Sequence, residues 1–147
     1  MGKKRIIQKG EVGTAEGGAD AVAKAARVSS SRRVPEGRVY VYSSYNNTLM
    51  SLCDAKGNLL AQVSAGAIGF KGTKKSTPFA ASKVADALSQ IAKNRGVEKV
   101  EIFIKGVGSG RDSALRALGS KGFEVSAIRD ITPIPHNGPR SRKVRRV

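Results

Sequence analysis

Lys105-Gly-Val-Gly-Ser-Gly-Arg-Asp-Ser113 has residue types and spacing that could hold a phosphate. A β-rich run precedes it and a helical pattern follows. A glycine turn in that setting offers backbone N–H groups and the positive end of a helix to an anion. The enzymatic versions of the motif fail on spacing. A dinucleotide fingerprint opening at Gly106 needs glycine at 111, where Arg111 stands, and no Gly-Lys-Ser/Thr follows for a nucleoside-triphosphate loop. What remains is a phosphate-compatible turn around Gly108 with Arg111 beside it, or simply a tight strand-to-helix turn. A second stretch, Ala65 to Ser76 (AGAIGFKGTKKS), is glycine-rich and basic, with Lys71, Lys74 and Lys75 and no acid between Asp54 and Asp86. Its lysines suit phosphate contact. Phe70 either stacks on a base or tucks into the core. Asn46-Asn47, with Tyr40, Tyr42 and Tyr45 nearby, could read base edges and stack, or could be ordinary turn and strand residues.

The last sixteen residues, Thr132 to Val147, carry five Lys/Arg, no acid and three of the chain's five prolines. Proline blocks helix and sheet pairing, so this segment is expected to leave the domain as an extended arm reaching roughly 50 Å at full stretch. Other chemistry finds little support. His136, the only histidine, lacks partners for a metal site and suits a phosphate or a turn. Cys53 in a β-rich run reads as a small buried hydrophobe rather than half of a Cys–His nucleophile pair. Asn137-Gly138 invites deamidation or isoaspartate formation, because the small glycine lets its backbone nitrogen attack the Asn amide. A metal-dependent nuclease is the competing reading, yet Asp54, Asp86 and Asp130 read as turn or helix-face residues rather than a magnesium cluster. No cofactor is called for.

Behind these motifs lies a net charge of +16 over 147 residues, spread as +4 over residues 1–37, +7 over 38–131 and +5 over 132–147. Basicity in all three regions makes nucleic acid or an anionic membrane the leading partner class. The membrane alternative fails because no apolar run approaches the roughly 18 residues of a spanning segment and the tail has no apolar face. No apolar signal stretch follows Met-Gly-Lys-Lys-Arg, and Ile6 breaks a myristoylation match. A single cysteine suits a reducing compartment, and the expected location is cytosolic.

The elements that must carry the motifs follow from patterning. Residues 1–37 read as a flexible basic extension with a weak helix over Ala19 to Val28. Residues 38–131 read as the α/β core and 132–147 as the tail. Val39 to Tyr42, Leu49 to Cys53 and Leu59 to Ser64 form a predicted antiparallel meander, turning at Tyr45-Asn-Asn47 and Asp54 to Asn58. Thr77 caps a helix with Pro78 at its first position, running to about Arg95 with apolar residues at the 3.6 period. Val100 to Lys105, a short helix over Arg111 to Gly119, and Phe123 to Ile131 complete a βββαβαβ order. The helix crossover makes the last two strands parallel and the sheet mixed. Three leading antiparallel strands in a mixed sheet resemble the ribonuclease H architecture.

Four separated motifs in order, Ser44-Tyr-Asn-Asn-Thr48, Gly69 to Ala80, Lys105 to Arg111 and Asp130-Ile-Thr-Pro-Ile-Pro-His-Asn-Gly138 with the basic end Lys143 to Val147, closely resemble the small-subunit ribosomal protein eleven family, its bacterial form above all. The resemblance spans Arg38 to Val147. It implies a ribonuclease H-like sandwich without catalytic acids, and no enzymatic activity. It further implies binding to small-subunit ribosomal RNA on the platform, where members bridge several RNA helices and line the cleft for the messenger's Shine–Dalgarno pairing. Ribosomal proteins seven and eighteen are implied neighbours, and initiation factor three an implied contact. Carried over by motif, the RNA-facing residues are Asn46, Asn47, Lys71, Lys74, Lys75, Ser76, Gly108, Arg111, Thr132, His136, Asn137, Arg140, Arg142, Lys143, Arg145 and Arg146. The sequence departs from the family at residues 1–37, which are longer and interrupted by Glu11, Glu16 and Asp20, at Ala67-Ile68, and at Pro139.

Overall fold

The structure, a computed structural model, describes residues 33–144. The expected helix at 19–28, all but the end of the N-terminal extension, and Arg145 and Arg146 lie outside the described residues. Five strands and two helices follow in βββαβαβ order: β1 (Glu36–Ser43), β2 (Thr48–Asp54), β3 (Leu59–Ser64), α1 (Pro78–Asn94), β4 (Lys99–Lys105), α2 (Arg111–Gly119) and β5 (Glu124–Asp130). The hairpins β1–β2 and β2–β3 are antiparallel, whereas β1–β4 and β4–β5 are parallel, giving the mixed sheet order β3-β2-β1-β4-β5.

Burial alternates along the strands because successive side chains point to opposite faces. In β1, Val39, Val41 and Ser43 are buried while Tyr42 is exposed; in β4, Val100, Ile102 and Ile104 are buried between less buried neighbours. α1 starts as its sequence dictates: the Thr77 side chain accepts from the Ala80 N–H and Pro78 occupies the first position. Its buried stripe is Ala80, Ala81, Val84, Ala85, Leu88 and Ala92. α1 packs on β2 and β3, and α2 packs on α1 and β1, so both helices cover the same sheet face. Between them lies one core that includes Met50, Leu52, Ile102 and Leu118, where each buried side chain contributes about 1.5–3 kcal/mol. Among the described residues no helix covers the other face of the sheet, and none is long and apolar enough to cross a membrane.

This topology has one consequence for function. β1, β3, β4 and β5 run in the same direction, with β2 opposed. Their C-terminal ends, the β1–β2 turn and the N-termini of both helices therefore gather at one rim of the sheet.

Candidate nucleic-acid interface

Each strand that ends at this rim releases one of the segments singled out by sequence. β1 ends in the turn 44–47. There the Ser44 hydroxyl accepts from the Asn47 N–H and donates to its carbonyl, both at 3.1 Å, and the Ser44 N–H donates to the same carbonyl at 2.9 Å. The turn presents Tyr45 and Asn46 to solvent. Asn47 is half-buried, and its Oδ1 is buried and accepts no hydrogen bond from the described residues.

β3 ends in the basic loop, which is more ordered than its glycines suggest. The Phe70 N–H donates to the Ala65 carbonyl at 3.1 Å, and Gly72–Ser76 form a 3-10 helical turn. Phe70 takes the core alternative: it packs on the buried cluster and meets Phe79 edge-on at 6.0 Å between centroids. Lys71 and Lys74 are exposed and Lys75 is half-exposed. Ser76 links two motifs, since its carbonyl accepts from the Ser109 hydroxyl at 2.8 Å.

β4 ends in the glycine turn, whose glycines answer a packing demand. A Cβ on Gly106 would lie 2.1 Å from the Ser43 carbonyl oxygen, and one on Gly108 would lie 2.3 Å from that of Ser44. Gly108 is buried and donates its N–H to the Ser43 carbonyl at 3.0 Å. The Gly108 donor is thus spent inside the fold, where it holds the turn against β1.

β5 ends in a clasp at the root of the tail. The Ile131 N–H donates to the Ile104 carbonyl at 2.8 Å, continuing the ladder by one bond. Beyond it, Arg111 Nη2 meets Asp130 Oδ2 at 2.5 Å, and Arg111 Nη1 donates to the Gly106 carbonyl at 3.1 Å and to Thr132 Oγ1 at 3.4 Å. The Thr132 N–H and hydroxyl donate to Asp130 Oδ1 at 2.9 and 2.6 Å, while the Gly106 N–H donates to Thr132 Oγ1 at 3.1 Å. The Arg111 guanidinium first, then the Thr132 donors, hold the Asp130 carboxyl well below the usual carboxylate range. Arg111 and Thr132, expected to face RNA, are thus engaged in fixing the direction in which the tail departs. From Thr132 to Val144 the chain has no regular secondary structure, and His136, Asn137, Arg140, Arg142 and Lys143 are exposed. Asn137 adopts a left-handed φ of 54°, and a Cβ on Gly138 would lie 2.8 Å from Pro135 Cβ, so a tight turn interrupts the arm.

Charge follows the same geometry. Lys71, Lys74, Lys75, Lys105 and Arg111 stand at this rim, against Asp112 and the clasped Asp130. Glu36, Asp54, Glu98 and Glu124 sit at the opposite rim, where they offset part of the charge of Arg33, Lys56, Lys93, Arg95, Lys99 and Lys121. Mid-sheet, Glu101 is held by Arg129 at 2.9 Å and Arg38 at 3.4 Å. The positive helix N-termini add to the field at the basic rim. Asp54 and Asp130 close β2 and β5 and Asp86 stands on α1, and no cluster of metal-ligating side chains occurs among the described residues. Cys53 is buried, and burial first, then the Asp54 charge, pushes its thiol pKa up.

Two features escaped sequence reasoning. Phe79 is 63% exposed with the Lys83 ammonium 5.7 Å from its ring centroid. Its place off the Ala81–Val84–Leu88 stripe was the available signal. The Arg111–Asp130 pair joins residues 19 apart and has no local signature.

The sequence model of the family described as "Ribosomal protein S11" matches residues 37–146. Proteins named "Small ribosomal subunit protein uS11" from two strains of Treponema pallidum, the Nichols strain being one, are each 53% identical over 116 residues, covering 79% of this chain and 92% of theirs. The protein of that name from Desulfotalea psychrophila is 51% identical over 127 residues, covering 86% of this chain and 99% of its own. With its glycine turn, its basic loop and its tail as far as Arg146 inside the matched span, the chain belongs to the ribosomal protein S11 family.

Proposed function

We propose that this chain is a structural, non-enzymatic component of the small ribosomal subunit, resident in the cytoplasm with the ribosome, that binds ribosomal RNA along its basic rim. The observation that carries this reading is the convergence of the turn 44–47, the loop 65–76, Lys105 and the tail at one acid-poor rim. Each phosphate neutralised there releases condensed counterions, so affinity falls steeply with salt. Most contacts hold shape and register rather than read sequence. Ordering a backbone residue costs about 1–2 kcal/mol, and the clasp at Thr132 reduces that cost at the tail's root. Direct phosphate contact falls to Lys71, Lys74, Lys75, His136, Arg140, Arg142 and Lys143, with Asn46 and Asn137 as exposed polar partners. Arg145 and Arg146 extend the same run of charge.

The family resemblance supports a finer placement: on the platform, bridging RNA helices, beside ribosomal proteins seven and eighteen, lining the messenger cleft and within reach of initiation factor three. Sucrose-gradient sedimentation of the purified chain with small-subunit ribosomal RNA at rising salt tests the reading. Co-sedimentation at low salt that dissolves as salt rises supports it; failure to co-sediment in dilute buffer overturns it.

A further inference from the structure

The sheet face opposite the helices carries a row of side chains that the rim does not account for. By register, Tyr40 faces Ser51 on one side and Phe103 on the other, and Phe103 faces Arg129; one step toward the rim, Tyr42 stands between Leu49 and Lys105. Tyr40 and Phe103 stack at 4.9 Å and 14°, and the Arg129 guanidinium lies 6.0 Å from the Phe103 centroid. This row is already filled by its own members. Tyr42 is different: it is 47% exposed, and among the described residues no ring stacks on it.

The charge around Tyr42 selects the occupant. The acid nearest on this face, Glu101, is bridged by Arg38 and Arg129, so that cluster keeps one net positive charge, to which Lys105 adds another. The face also opens directly onto the basic rim, since Tyr42 leads into the turn 44–47, Lys105 into the glycine turn and Ile131 into the tail. An exposed ring beside Lys105 and a net-positive arginine–glutamate cluster, continuous with a phosphate-binding rim, fits a nucleobase with its flanking phosphate. A protein partner would have to desolvate Lys105 beside the ring. We propose that the uncovered sheet face around Tyr42 is a stacking platform for an unpaired base of the bound RNA, with Lys105 on the adjoining phosphate. The proposal rests on the RNA-binding reading and extends it from the rim onto the sheet.

The test uses the full chain and a short single-stranded oligoribonucleotide carrying 2-aminopurine, with small-subunit ribosomal RNA alongside. Wild type and Tyr42→Phe quench the fluorescence. Tyr42→Leu, which keeps apolar bulk but has no π face, loses the quench and raises Kd about tenfold, the order expected for one lost stack. If Tyr42→Leu quenches and binds as wild type does, the platform is overturned and the face belongs to a partner that tolerates leucine, such as a protein. A chain that binds neither RNA overturns the functional reading itself. A chain that binds ribosomal RNA, weakens when Lys74 and Lys75 are reversed, and ignores Tyr42→Leu overturns the platform alone.

Discussion

Replacing Gly106 by alanine separates a packing role for the glycine turn from a phosphate-cradling one. Gly106 has φ +100°, and the new Cβ would sit 2.1 Å from the Ser43 carbonyl oxygen. Holding a non-glycine residue at such φ costs about 1–2 kcal/mol. Relieving the clash demands a backbone shift of about 1 Å, for which overpacking adds about 1–3 kcal/mol. The carbonyl that must move also accepts the Gly108 N–H, a hydrogen bond worth about 1 kcal/mol. The total, about 3–6 kcal/mol, is a large share of the roughly 5–15 kcal/mol that stabilises a domain. Gly57→Ala is the control: its φ is +93°, but nothing lies within 4 Å of the added Cβ, so only the conformational cost of about 1 kcal/mol applies. The chain has no tryptophan, so urea unfolding is followed by circular dichroism. The expected result is a far lower midpoint for Gly106→Ala than for Gly57→Ala, with thermal melting lowered by on the order of 15 °C. Equal midpoints, with RNA affinity lost only in Gly106→Ala, would refute the packing argument and restore the cradle.

The remaining predictions concern the clasp and the charges. Asp130→Asn removes a carboxylate whose folded-state pKa is depressed by Arg111 and Thr132. Its stabilisation is fully present above the ordinary carboxylate pKa and is lost as pH falls through the lower folded value, so acid melting curves fall less steeply with pH in the variant than in wild type. The same variant frees the root of the tail and weakens RNA binding at neutral pH, measured by filter retention. Reversing Lys74 and Lys75 to glutamate lowers RNA affinity and flattens the log–log salt slope by about two if each touches one phosphate; an unchanged slope removes the loop from the interface. Deleting residues 138–147 lowers occupancy in small-subunit particles, read by quantitative mass spectrometry of purified particles. Normal occupancy would show that the tail is dispensable.

Most elements were legible because their signals are local. Alternation in Val39 to Tyr42 and Val100 to Lys105, the Thr77-Pro78 start of α1 and the turn residues at 45–47 and 54–58 each report on a few neighbours. The parallel pairing of β1 with β4, which makes β1 the central strand, joins residues about 60 apart and leaves no periodic trace. For the same reason the pairing of Arg111 with Asp130 and of the Gly108 N–H with the Ser43 carbonyl left no sign in the sequence. Charge type was visible in the chain, but its segregation to one rim depends on strand direction, which only the assembled sheet supplies.

Cross-linking mass spectrometry of the full chain bound to small-subunit ribosomal RNA tests the one-rim account most directly. Protein–RNA cross-links should fall on the turn 45–47, the loop 71–76, Lys105 and the tail from 136 onward, and should spare the turn 54–58 and the segment 95–99 at the opposite rim. Cross-links concentrated on that opposite rim, with the tail and basic loop untouched, would contradict it.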